Sequence, residues 1–170
     1  MKQFVEPFDY AATLCKALPK GILLTTKAGD QVNTMTIGWG MIGVEWGKPV
    51  FLALVRQSRH TKKLLDATGE FTVNIPLDAI DKKILGYCGS KSGREVDKIK
   101  DLGLTLEDPE VISVPGIRQL PLTLECKVLY QQTQDASHFP QSIVDRYYPM
   151  PYDDHTVYYG EIVSADIIQE

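Results

Sequence analysis

Apolar and polar positions change their period several times along the chain, and each change marks an element. DYAATLCKAL (9–18) puts Tyr10, Leu14, Ala17 and Leu18 on one helical face behind Asp9, a favoured N-cap, and Pro19 and Gly21 end the run. ILLTT (22–26) and QVNTMTI (31–37) are β-rich runs joined by Lys27-Ala28-Gly29-Asp30, which suits a hairpin turn. MIGVE (41–45) and PVFLALV (49–55) form a second pair around Trp46-Gly47-Lys48. The unbroken apolar run of PVFLALV predicts a strand buried on both faces in the middle of a sheet. Ser58 is placed to cap a helix through RHTKKLLDAT (59–68), which has an apolar Leu64/Leu65 face and closes at Gly69.

FTVNI (71–75) reads as a strand that stops at Pro76, and Asp78 is a candidate cap for a short helix through DKKILGY (81–87). Cys88 to Gly93 reads as a flexible loop, REVDKIKDLG (94–103) as a turn or two of helix, and 106–121 as a surface connection. LTLECKVLYQ (122–131) alternates and predicts a half-buried strand with Leu122, Leu124, Cys126 and Val128 on one face. A proline- and aromatic-rich excursion (138–155) precedes TVYYGEIVSADII (156–168), a long strand with a bulge expected at Gly160. Strands outnumber helices and short connections dominate, so the expected fold is mainly β: a small β-barrel with peripheral helices rather than a doubly wound sheet. No repeat or composition break divides residues 1–170, which reads as a single domain.

Composition narrows the function classes. At 44% hydrophobic and 24% charged residues the chain is neither disordered nor fibrous. Its longest wholly apolar run, Val50 to Val55, falls far short of the roughly 20 residues of a membrane span. The first residues show no signal peptide, and Cys15, Cys88 and Cys126 have neither disulfide-framework nor zinc spacing, so a cytoplasmic setting is expected. Residues 1–100 carry 15 bases against 10 acids and residues 101–170 carry 3 against 12. The basic excess lies in 56–63 and 82–100, which suits a localised phosphate better than a nucleic acid.

Three runs carry candidate chemistry. Asn33-Thr34-Met35-Thr36, leading to Gly38-Trp39-Gly40, offers donors, acceptors and close backbone approach to a planar heteroaromatic ligand; taken alone, it reads as ordinary strand and core. Arg56-Gln57-Ser58-Arg59-His60-Thr61 joins a strand end to a helix start, where free amides and guanidinium groups suit a phosphate. A solvated basic helix start explains the same residues. Cys88-Gly89-Ser90-Lys91-Ser92-Gly93 resembles an anion-binding nest but lacks P-loop spacing, and Cys88 is either a packing residue or, with His60 or His155 as base, a nucleophile. The three histidines lack ligand spacing, so no metal is expected.

Together, residues 33–76 (NTMTIGWG through FTVNIP), CGSKSGREVDK (88–98) and HTVYYGEIV (155–163) resemble the flavin reductase-like, FMN-binding split-barrel family, in its flavoredoxin-type branch. The resemblance implies a split-barrel homodimer holding FMN noncovalently in a cleft at the subunit interface. It implies that Asn33, Thr34, Met35, Thr36 and Trp39 line the isoalloxazine and that Arg56, Ser58, Arg59 and Thr61 hold the phosphate end. Cys88, Gly89, Ser90, Lys91 and Lys98 would close around the flavin or its phosphate, and His155 would lie toward the nicotinamide. The implied activity is an NAD(P)H-dependent flavin reductase that transfers a hydride to FMN. The alternative is a flavoredoxin-like electron carrier that serves a redox protein without nicotinamide turnover. A pyridoxamine-phosphate oxidase relative fits the motif set less well. Hydride transfer to flavin requires no side-chain acid or base, so no catalytic residue is assigned.

Overall fold

The computed structural model describes residues 1–169. Its strands are β1 (Lys2–Phe4), β2 (Ile22–Ala28), β3 (Gln31–Ile37), β4 (Gly40–Glu45), β5 (Lys48–Arg56), β6 (Glu70–Ile75), β7 (Leu106–Glu107), β8 (Gly116–Ile117), β9 (Leu122–Thr133) and β10 (His155–Ile168). The helices are α1 (Ala11–Ala17), α2 (His60–Thr68), α3 (Lys82–Ser90), α4 (Lys98–Leu102) and α5 (Gln141–Tyr147). Eight strands form one antiparallel sheet, seven of them in the order β3-β2-β6-β9-β10-β5-β4 with β1 paired to β10, while β7 and β8 form a separate small ladder. One edge of β10 carries β9, and the other carries first β5 and then β1. Helix α2 lies against β2 and β3, and α3 and α4 lie against β3. The expected mainly β fold with peripheral helices is therefore observed.

Both hairpins form where the turn residues place them. Gly29 has φ +57°, and Trp46 and Gly47 have φ +53° and +69°, the left-handed pair that a tight two-residue turn requires. The main core joins Ile22, Leu24, Phe51, Ala53, Val55, Phe71, Val73, Leu124 and Tyr158. The bulge expected at Gly160 is present, and the β9–β10 register shifts again between Ile162 and Ser164. A Cβ at Gly160 would sit 2.5 Å from the Phe71 ring, so the glycine lets an aromatic ring cross the bend.

Several local expectations are corrected. Residues Pro7–Tyr10 form a 3-10 turn, and Tyr10 rather than Asp9 stands at the start of α1 without a side-chain cap. Asp81, not Asp78, caps α3 by accepting the Lys83 N–H at 2.8 Å. Cys88, Gly89 and Ser90 belong to the last turn of α3 rather than to a loop. Strand β5 is second from the sheet's edge, not central, because β4 folds back on its outer side; its Phe51-Ala53-Val55 face is buried and its Leu52-Leu54 face is half-exposed. Residues 122–126 of β9 are buried on both faces, including Glu125. That carboxylate accepts the N–H groups of Glu110, Val111 and Ile112, which satisfies a buried charge.

Candidate functional site

The end of β3, the β5–α2 junction, the α3–α4 connection and the start of β10 converge on one side of the sheet. They enclose two adjoining cavities that share Met35, Arg56 and Arg59. The smaller, about 160 Å³, is also lined by Thr36, Ile37, Gly38, Trp39, Leu54 and His155. The larger, about 250 Å³, is basic: Lys91, Arg94 and Lys98 join the arginines, with Asn33, Ser58, His60, Thr61, Ser90 and Asp153. An apolar cleft of about 520 Å³ meets the smaller cavity at Gly38, Trp39 and Leu54 and runs out past Met41, Ile143 and Tyr147.

Donors are abundant in the basic cavity and acceptors scarce. Arg59 gives one Nη1 bond to the Gly89 carbonyl at 2.9 Å, and among the described residues no protein acceptor takes the rest of its fork. The backbone N–H groups of His60 and Thr61, in the first turn of α2, have no carbonyl partner among the described residues. Lys98 is buried and its Nζ donates to the Thr34 and Cys88 carbonyls, both at 2.9 Å. Burial lowers its pKa, with Arg59 as a lesser cause in the same direction. Its ammonium thus ties the end of α3 to β3. The His60 pKa is likewise lowered, first by burial and then by Arg94, and its Nδ1 is buried without a partner among the described residues.

Sequence-expected residues fall into three groups. Asn33, Met35, Thr36, Trp39, Arg56, Ser58, Arg59, Thr61, Ser90, Lys91, Lys98 and His155 line one cavity or the other. Asn33 donates its side-chain amide to the Thr61 hydroxyl at 2.8 Å, which locks β3 to α2. Gly89 contributes its carbonyl, and Thr36 bonds the Leu85 carbonyl at 2.7 Å. Thr34 and Cys88 lie elsewhere. The buried Thr34 hydroxyl accepts from Thr25 and donates to the Leu24 carbonyl. Cys88 packs against Leu23, Ile117 and Leu120, and burial pushes its thiol up to about 11.

Two assigned donors are engaged by the segment that precedes β10. Arg56 donates to the Asp153 carbonyl at 2.8 Å and the Tyr147 carbonyl at 3.0 Å, and its guanidinium lies over the Tyr148 ring. Ser58 does not cap α2; Arg59 occupies that position. His155 is buried, its Nδ1 2.8 Å from the Tyr148 hydroxyl and its ring 5.0 Å from that of Trp39. Burial, reinforced by Arg56, lowers its pKa to about 4, so it is neutral at pH 7. Sequence reasoning missed Leu54, Tyr147, Tyr148 and Asp153 as site residues; Arg94 was visible only as part of a basic run.

The profile of the family described as flavin reductase like domain matches residues 16–170. A protein of Archaeoglobus fulgidus is 26% identical over 147 residues, 86% of this chain and 72% of that protein. Flavoredoxin of Desulfovibrio vulgaris (Miyazaki F) aligns with a TM-score of 0.67 and 24% identity, over 88% of this chain and 69% of its own. Flavoredoxin from Methanosarcina acetivorans aligns with a TM-score of 0.63 and 26% identity, over 85% of this chain and 66% of its own. The large antiparallel sheet with few helices is the split-barrel fold of these neighbours. On the match across nearly its whole length, the chain belongs to the flavin reductase like domain family.

Proposed function

We propose that the chain binds FMN noncovalently and acts as an NAD(P)H-dependent flavin reductase. The observation that carries this reading is the pairing of a basic cavity with a ring-lined one through Met35, Arg56 and Arg59. The donor set fits the group: the free fork of Arg59, Lys91, Arg94 and the first-turn amides of α2 suit a phosphate. Met35, Thr36, Trp39 and Leu54 suit a flat ring with polar edges. FMN, when bound, supplies the acceptor for a hydride from the nicotinamide. The protein's own part is to bind and orient. Trp39, Tyr147 and Leu54 form an apolar wall along the adjoining cleft, where a donor ring can stack. The neutral His155 ring, held by Tyr148, packs 5.0 Å from the Trp39 ring without adding a charge.

Anaerobic addition of NADH or NADPH to the yellow, FMN-loaded protein is the test, and rapid bleaching of the flavin band is expected. A band that bleaches only with dithionite or a reduced protein partner would establish the second reading, an electron carrier. The likeness to two flavoredoxins favours that alternative. We take residues 1–170 as one domain that works as a cytoplasmic homodimer. The free thiols suit a reducing compartment, and no helix among the described residues is long and apolar enough to cross a membrane. Met41, Val44 and Trp46, exposed on and beside the edge strand β4, support self-association.

A further inference from the structure

The basic cavity already contains one anion, and it belongs to the protein. Asp153 is the single acid lining it among the described residues. Its Oδ1 accepts the Ser58 backbone N–H at 3.0 Å, and its Oδ2 accepts the Ser58 hydroxyl at 2.5 Å. This two-pronged contact is how a phosphate would engage the same amide and hydroxyl. Resting on the FMN reading above, we propose that the Asp153 carboxylate competes with the ligand's phosphate for Ser58. Asp153 thereby sets the preference between phosphorylated and unphosphorylated flavin and keeps FMN dissociable.

The backbone around Asp153 makes this exchange a side-chain event. The Asp153 carbonyl is held by Arg56 and the Asp154 carbonyl by the Gln57 N–H at 3.0 Å. The carboxylate can therefore rotate off Ser58 while the chain stays pinned. A phosphate entering between Arg59, Lys91 and Arg94 must displace it, because two anions cannot share one pair of donors without strong mutual repulsion. Riboflavin has no phosphate and leaves the carboxylate in place. A site that is closed for part of the time binds with an apparent affinity reduced by the closed fraction. FMN therefore bears a cost that riboflavin escapes.

The experiment titrates FMN and riboflavin into the full chain and its Asp153→Asn and Asp153→Ala variants, following flavin fluorescence. We expect FMN to bind about tenfold tighter to both variants, the loss of a charged hydrogen-bond competitor being of that order. Riboflavin affinity should stay within about twofold. FMN binding that is unchanged or weaker in both variants overturns the proposal, as does an equal gain for both flavins. Inorganic phosphate separates this proposal from the reading beneath it: phosphate should raise the melting temperature of Asp153→Asn more than that of the parent chain. If that difference appears but neither chain binds FMN, the flavin reading fails and the competition by Asp153 stands.

Discussion

On the proposed FMN reading Arg59 is the residue expected to bear on the phosphate most directly, since most of its guanidinium is uncommitted among the described residues while Arg56 is spent on two carbonyls. Arg59→Ala should weaken FMN about ten- to a hundredfold, given roughly 1.5–3 kcal/mol for a hydrogen bond to a charged group. Riboflavin should lose far less, and parallel titrations check this; equal losses would put the phosphate elsewhere. Cys88→Ser should keep flavin content and hydride transfer, because a buried thiol pushed up to about 11 holds almost no thiolate at neutral pH. Stopped-flow reduction under nitrogen reads the outcome, and abolished reduction with normal flavin content would restore a thiol mechanism. Two buried groups set opposing pH trends. His155 falls from 6.5 to about 4 on folding, so its contribution to stability is whole above about pH 6.5 and drains away as the pH drops toward 4. Asp166 rises from 3.8 to about 6 because it is buried, with neither oxygen bonded among the described residues, so its contribution is whole below about 3.8 and lost as pH rises through 6. Asp166→Asn should therefore melt a few degrees higher than the parent near pH 8 and converge with it near pH 4, each kcal/mol being worth about 2–4 °C at this size. Thermal melts at both pH values decide it.

At the element scale, legibility followed locality. The hairpins were readable because Gly29 and the Trp46-Gly47 pair carry their backbone requirement within two residues. The C-cap at Gly69, in the left-handed region at φ +66°, was readable for the same reason. The place of β5 was not, since an apolar run predicts shielding on both faces, whereas its Leu52-Leu54 face is half-exposed and β4 covers its outer edge. The burial of Glu125 was illegible because its partners, three consecutive amides at 110–112, carry no side-chain signature. Ser58 shows the same limit in the site: its spacing suited a cap, yet its partner Asp153 lies 95 residues away. The β10 bulge supplies the element-level prediction. Gly160→Ala would force a Cβ to within 2.5 Å of Phe71 and 3.0 Å of Cys126, both buried, and should cost about 1–3 kcal/mol as an overpacked core does. A melting temperature within a degree of the parent would show that the bend relaxes freely.

For the whole molecule, sedimentation should give a dimer, twice the 19.0 kDa chain, and Met41→Asp on the edge strand should shift it toward monomer. A monomer at micromolar concentration that still binds FMN would remove self-association from the account. The sheet order has a temporal side as well. β10 lies between β9 and β5, so before it is synthesised the nascent chain has two unconnected fragments of sheet, β3-β2-β6-β9 and the β5-β4 hairpin. Arg56 and Arg59 leave the ribosome with the hairpin and the start of α2, whereas His155 follows 99 positions after Arg56. At about 5–20 residues per second, that is a wait of roughly 5 to 20 seconds during which the apolar face of β5 has no sheet partner on its inner edge. A chain that ends anywhere in this interval lacks the strand that joins its two sheet fragments, and their facing edges stay open.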